Sequence, residues 1–282
     1  MIAHIYPCLW FNNQAQEAAN FYCSVFDGGK ILSDGGVAVT FEIAGSTFMG
    51  LNGGPSFTIN PSISFFLFCK NTNEVIEKWQ KLSENGSILM PLDSYPWSEK
   101  YGWCSDKYGI NWQIMVASDN TPTPTIVPAM MFTQKNAGKA EEAIHSYTSI
   151  FSNSSISDLN RYQEGEGDTP GLIKHGRFLL NDKLFIALES SHPHGFTFNE
   201  GISFVIPCDT QEEIDYFWQK LTDSGSEGQC GWLKDKYGVS WQVVPTMLSE
   251  LMSDRIKAPK VIEAFMKMKK FDIATLQAAA QD

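Results

Sequence analysis

The sequence predicts an α+β protein of two tandem homologous domains, each a pair of β-α-β-β-β modules, with a short helical tail. Three observations predict it. The word DKYGINWQ at Asp106–Gln113 returns as DKYGVSWQ at Asp235–Gln242, 129 residues later. Two further blocks recur in the same order: EAANFYCSVFDGGKI (Glu17–Ile31) as EAIHSYTSIFSNSSI (Glu142–Ile156), and ISFFLFCKNTNEVIEKWQKLSENG (Ile63–Gly86) as ISFVIPCDTQEEIDYFWQKLTDSG (Ile202–Gly225). Inside each copy the succession of apolar strand, helix and strands is itself written twice. The implied domains are 1–118 and 128–246, joined by a Pro/Thr-rich linker at 119–127 and followed by a tail at 247–282.

The elements follow in order. IYPCLWF is an apolar strand leading into a helix where Ala18, Phe21, Tyr22, Val25 and Phe26 fall at helical spacing. Asn13 and Gln16 have capping-box spacing, and Gly28-Gly29 supply a stop. VAVTFEI and STFMGLN, separated by Ala44-Gly45, read as a hairpin. ISFFLFC starts the second module; its helix ends at Asn85-Gly86 and leads to the WCSD and INWQIMV strands. The first copy carries about ten extra residues before Trp103 relative to the second copy. In DKYG, Asp favours the first turn position, where its carboxylate accepts local N–H groups, and Gly the fourth. The tail (TMLSELMSD, APKVIEAFMKMKKFD, DIATLQAAA) reads as two or three short helices packing onto a domain.

With 21 basic against 32 acidic residues, the net charge of −11 speaks against a nucleic-acid partner. No apolar run is long enough for a membrane span, and the N-terminus lacks the charged and apolar regions of a signal peptide. Cys8, Cys23, Cys69, Cys104, Cys208 and Cys230 form no CxxC pair and sit mostly in apolar runs; buried free thiols and a cytoplasmic location are expected.

The words LWFNNQAQEAANFYCSVF, LNGGPSF, ISFVIPCDTQEEIDYFWQKL, CGWLKDKYGVSWQVVP and MKMKKFDIATLQAAA resemble the PhnB-like branch of the vicinal oxygen chelate superfamily (glyoxalase, bleomycin-resistance and dioxygenase proteins). The resemblance implies curved sheets forming cups, helices on the convex side, and small-molecule ligands. It implies domains that pair within the chain or as a homodimer. Members of this branch often carry the name 3-demethylubiquinone 3-methyltransferase. The glycine pairs DGGK, DGGV and NGGP do not form the GxG turn such an enzyme needs, so methyl transfer is not expected.

Placed by resemblance, the family's metal-binding positions fall on Pro7 and Pro128, on Ser62 and Gly201, and on Gln113 and Gln242. Proline, serine and glycine leave one neutral amide per copy, a poor divalent ligand, so neither metal nor cofactor is expected. Alternation along INWQIMV puts Trp112 (and Trp241) under the helices and Gln113 (and Gln242) in the cup. The expected cup lining is Pro7, Leu9, Phe11, Ser62, Ser64, Phe66 and Gln113 in one copy, and Pro128, Met130, Phe132, Ser203, Val205 and Gln242 in the other. Phe68, Gly201 and Pro207 share those faces.

Two functions remain, beside a third in which the domains serve only assembly. One is a metal-free protein that binds a small apolar or aromatic ligand, by resemblance a cationic one. The other is an enzyme of lyase, isomerase or dioxygenase type, acting on a small metabolite with acid/base residues or with a metal site unlike the family's. Its acid/base candidates are Glu189, His192 and His194 in LESSHPHG. His4, His145 and His175 stand apart in the sequence, and His145 and His175 are expected to be solvated or capped.

Overall fold

The computed structural model describes residues 4–118, 125–254 and 256–281. Four modules follow one another. The first holds β1 (Tyr6–Phe11), α1 (Ala15–Val25), β2 (Lys30–Asp34), β3 (Ala38–Ile43) and β4 (Ser46–Asn52). The second holds β5 (Ile63–Cys69), α2 (Thr72–Ser83), β6 (Ser87–Tyr95), β7 (Ser98–Ser105) and β8 (Asn111–Val116). The third holds β9 (Thr125–Phe132), α3 (Ala140–Ile150), β10 (Ser155–Arg161), β11 (Ile173–Leu180) and β12 (Lys183–Glu189). The fourth holds β13 (Ile202–Cys208), α4 (Gln211–Thr222), β14 (Ser226–Glu227), β15 (Trp232–Lys234) and β16 (Ser240–Pro245). The tail carries α5 (Leu248–Ser253), α6 (Ala258–Phe265) and α7 (Ile273–Ala279). Of the expected linker, residues 119–124 lie outside the described residues, and Thr125 already opens β9.

The strands form two mixed eight-stranded sheets. Sheet 1 has the order β14-β15-β16-β13-β1-β4-β3-β2, and sheet 2 the order β10-β11-β12-β9-β5-β8-β7-β6. Each sheet takes one module from each repeat. In sheet 2, β5 runs antiparallel to β9, with Ser64 opposite Ala129 and Phe66 opposite Val127. It runs parallel to β8, with Phe66 beside Gln113. The two repeats are therefore stitched together within the chain. Residues 9–201 form one compact unit; residues 1–8 with 202–282 form the other.

In the 9–201 unit the helices cover an aromatic core. Trp112 is 1% exposed and packs on Tyr22, Phe26 and Phe65. Asp106 holds this core to the last strand. Its carboxylate accepts from Tyr22 Oη (2.8 Å), Trp112 Nε1 (2.8 Å), Tyr108 N (2.9 Å) and Ile110 N (3.0 Å). Burial pushes its carboxyl up, against the pull of these four donors. The DKYG word is thus turn and core chemistry. Ala44 and Gly45, both at positive φ, close the β3–β4 hairpin.

The Asn13–Gln16 capping box does not form: the residue before α1 is Gln14, with no side-chain cap, and Asn13 sits at φ 62. Asn52, at the end of β4, accepts the Ala15 N–H at 2.9 Å instead. The orphan donors of that first turn find a partner across the fold rather than along the chain. Local caps do form on α2, where Asn71 accepts from Glu74 N, and on α4, where Thr210 and Glu213 make a capping box.

In the other unit, Trp241 repeats the core position of Trp112, packs on Phe204, and donates to Asp235 at 2.9 Å. The tail packs here as expected. Cys230 N and Gly231 N donate to Met268 O and Lys269 O, and Phe271 and Leu276 are buried. Gln211 on α4 donates to Phe271 O and accepts from Ile273 N, and Lys270 pairs with Asp215. All six cysteines are free, four of them buried. Among the described residues no helix is long and apolar enough to cross a membrane.

Candidate functional site

The concave face of sheet 2 lies wholly within the 9–201 unit. The opposite face carries the helices: Gly102 of β7 lies under the Trp79 ring of α2, and Gly176 of β11 under Ile144 of α3. Alternation then turns Tyr101, Trp103, His175 and Arg177 to the concave side. There Phe66, Phe68, Tyr101, Val127, Ala129 and Ile186 form a buried apolar floor. Half-buried Met90, Tyr95, Trp103, Met115, Leu184 and Leu188 pack around it. The His175 and Phe66 rings meet edge to face at 6.0 Å between centroids. Their strands stand three places apart in the sheet, about 14 Å if it were flat. The sheet curls and brings its arms toward each other over Phe66.

At the centre, Gln113 is buried and bonded at both ends of its amide. Its Oε1 accepts from Tyr101 Oη at 2.7 Å, and its Nε2 donates to Ser64 Oγ at 2.9 Å. Burial pushes the Tyr101 phenol up, so it remains a proton donor at neutral pH. In the other unit Gln242 repeats the position. Its Nε2 donates to Ser203 Oγ at 2.9 Å, and its side chain bonds Cys8, whose thiol burial pushes up to about 12.

Of the expected lining residues, Ser64, Phe66 and Gln113 share the concave face of sheet 2, with Ser62 in the same alternation just before β5. Ser203, Val205 and Gln242 share one face of sheet 1, with Cys8 bonded to two of them. Pro128, Met130 and Phe132 do not belong to the cup. Pro128 is opposite Phe65 and Met130 opposite Ile63, both on the helix side, and Phe132 packs on Phe198. Val127 and Ala129 face the concavity in their place. Pro7, Leu9 and Phe11 are displaced in the same way. Phe11 packs near Gly50 and Ala15, while Cys8, of opposite parity, joins Gln242. Thr125–Phe132 is an apolar run with both faces covered, so the sequence holds no alternation from which to read its parity.

The acid/base candidates are not brought together. Glu189 is buried, but its Oε1 accepts from Ala140 N (2.8 Å) and its Oε2 from Ile173 N (2.6 Å). It anchors the start of α3, as Asn52 anchors α1. His192 is exposed and bonds Gly167 O at 2.8 Å, and the His194 ring leans on Phe196. His175, expected to be solvated or capped, lies instead in the concavity, where burial and the Arg177 charge hold its value below that of an ordinary imidazole.

Sequence reasoning missed Arg177, Trp103 and Tyr101. Arg177 lies opposite Ile186 of the floor, and its buried Nε has no hydrogen-bond partner. Trp103 Nε1 is likewise buried and unpartnered. The parity of RFLL on β11 and the spacing YGW on β7 would have placed all three, had β11 been read as a strand and the WCSD strand been carried back to Tyr101.

The residues do not fit a divalent metal. At the carboxylate position stands an amide already bonded on both sides, and its concave-face neighbours are serine, alanine and aromatic residues. Among the described residues no three His, Cys, Asp or Glu side chains gather as a metal cage.

Two eight-stranded sheets built from four β-α-β-β-β modules, with helices outside a curled concave face, define a tandem protein of the glyoxalase-like, vicinal oxygen chelate class. Glyoxalase I from Zea mays shows that fold at a TM-score of 0.56, covering 89% of this chain and 97% of that one at 11% identity. A point mutant of the same maize enzyme gives 0.56 over 85% and 92%, at 12% identity. More particularly, the chain belongs to the PhnB-like family described as 3-demethylubiquinone-9 3-methyltransferase, which matches it twice, over residues 3–115 and 124–244. A putative 3-demethylubiquinone-9 3-methyltransferase, PhnB protein, from Bacillus cereus is 37% identical over 41% of this chain and 100% of that one, with a TM-score of 0.39. No curated protein matches the chain.

Proposed function

We propose that the chain binds a small apolar or aromatic molecule in the concave face of sheet 2 and does so without a metal electrophile. The observation that carries this reading is the buried, unpartnered Trp103 Nε1 on a half-buried apolar wall. A buried donor without an acceptor costs about 1–3 kcal/mol, a cost a ligand acceptor would relieve. Apolar walls with a few fixed polar groups are the usual make-up of a small-molecule site. The Tyr101–Gln113–Ser64 chain supplies the fixed groups.

The rival reading, an enzyme, finds less support, because both oxygens of Glu189 are already taken by backbone donors. Nor do the glycine pairs support the methyl transfer in the family description. Gly28-Gly29 follow α1, Gly35-Gly36 join β2 to β3, and Gly53-Gly54 follow β4; none leads from a strand into a helix N-terminus.

The test is a thermal-shift and tryptophan-fluorescence screen with naphthalene and indole derivatives. A ligand at 100 times its Kd adds about 2.7 kcal/mol, a rise of several degrees in Tm. Trp103→Phe should reduce that rise for any ligand bearing an acceptor. A panel that moves neither signal at millimolar concentration would refute the proposal.

A further inference from the structure

We infer that the concave face of sheet 2 selects a monoanion, a carboxylate carried on an apolar body, and that Arg177 is the residue that reads it. This rests on the proposed binding reading and adds the charge of the ligand to it.

The first argument is the state of Arg177. A guanidinium offers five donors in a planar fork, and a half-buried one normally spends them on carboxylates or carbonyls. Here no side-chain hydrogen bond or ion pair joins Arg177 to another described residue, and its Nε is buried. Asp158 lies opposite it in the β10–β11 register, beyond a bulge, but makes no ion pair with it and is exposed, bonding Asn160. Arg177 shares its face with Ile186 of the apolar floor, so its charge is held at a wall with no counter-ion in place. The buried Nε–H is a donor without a partner, which costs about 1–3 kcal/mol until an acceptor reaches it.

The second argument is the character of the surrounding groups. Trp103 Nε1 is a donor only and is unpartnered. The acceptor end of Gln113 is taken by Tyr101 and its donor end by Ser64, so neither competes for Arg177. His175 is on the Arg177 face of the same strand, and burial disfavours its protonation, so Arg177 is the cationic side chain there. One fixed cation with neutral donors on an aromatic wall matches one negative charge. A phosphate dianion calls for more donors and usually a helix N-terminus or glycine loop, which this face does not offer. A cationic ligand, the kind the resemblance to resistance proteins suggests, would meet Arg177 with like charge.

The experiment compares naphthalene-2-carboxylate with naphthalene-2-carboxamide, nearly equal in shape and differing in charge. Wild-type protein should bind the acid about 10- to 100-fold more tightly than the amide, the range for a charge-assisted bond. Arg177→Met keeps much of the stem and should abolish that preference. Asp158→Asn, an exposed change, should strengthen acid binding by removing the nearby like charge. Equal binding of acid and amide by the wild type would overturn the inference and leave the binding proposal standing. Failure of both compounds, and of the wider panel, would overturn both. Should Arg177→Met fail to fold, the wild-type ratio and Asp158→Asn decide the matter alone.

Discussion

The two glutamines that repeat each other sit behind different walls. Beside Gln113 the wall is the long β6–β7 hairpin, Ser87–Ser105, which supplies Tyr101 and Trp103 to the concave face. At its turn Trp97, 57% exposed, stacks on Tyr95 at 5.0 Å, and Tyr95 meets Tyr101 edge to face. Beside Gln242 the corresponding hairpin is only Ser226–Glu227 and Trp232–Lys234. Cys230 stands where the repeat would place Tyr101, and the tail docks on it through Met268 and Lys269. Each glutamine still donates to a serine at 2.9 Å, while the second partner changes from a phenol to the thiol of Cys8. One copy spends its extra residues on a strand wall bearing aromatic and donor groups. The other spends the end of the chain on closing the same edge. Duplication kept the inner amide and left the wall open to divergence.

The largest expected effect breaks the tail wall. Phe271 is 2% exposed and packs beside Gly231, so Phe271→Ala should cost about 3–5 kcal/mol in denaturant unfolding. A matched glycine pair sharpens the contrast. Gly231 has φ +81, and an added Cβ would lie 2.5 Å from the Phe271 ring and 2.6 Å from Val243 O; Gly231→Ala should cost about 2–4 kcal/mol. At Gly102 the nearest obstacle is the Trp79 ring, a side chain rather than backbone, so Gly102→Ala should cost less, about 1–3 kcal/mol. Equal costs would mean that the tail does not constrain its edge.

Next come the two partners of the glutamines. Tyr101→Phe leaves the buried Gln113 Oε1 unsatisfied and should cost about 1–3 kcal/mol, whereas Cys8→Ala, which removes a weak thiol partner, should cost about 1 kcal/mol. The smallest effect is a pH dependence confined to the open wall. His175, flanked by Arg177 and by Asp158 across the strand pair, has its folded-state value held below 6.5. As pH falls through the unfolded value, the unfolded chain takes up a proton that the folded chain refuses. Stability is therefore full above that value and declines below it. Wild-type Tm should drop more between pH 7.5 and 5.5 than that of His175→Phe; parallel declines would remove His175 from the account.

Much of the fold was legible because repetition is visible without any structure. Three recurring words set the modules, and the Asp106 and Asp235 turns are local chemistry that spacing alone reveals. The face of Gln113 was legible too, because INWQIMV alternates cleanly between core and amide. The faces of β1 and β9 were not. Their residues are apolar on both sides, and one step of parity separates Ala129 from Met130. The start of α1 escaped for another reason: its cap, Asn52, lies 37 residues away. Arg177 escaped because nothing in HGRFLL marks an arginine as lacking a counter-ion; that emerges only when the facing strands are in place.

The nesting of the modules has a consequence for how the chain is made. All eight strands of sheet 2 lie between Ile63 and Glu189, so the sheet bearing the proposed site can close while later residues are still emerging from the ribosome. Sheet 1 takes its strands from both ends of the sequence and must wait for the last of them. Until then β1 to β4, already synthesised, lack β13 to β16. A released chain truncated near residue 200 should thus already protect sheet 2 from protease.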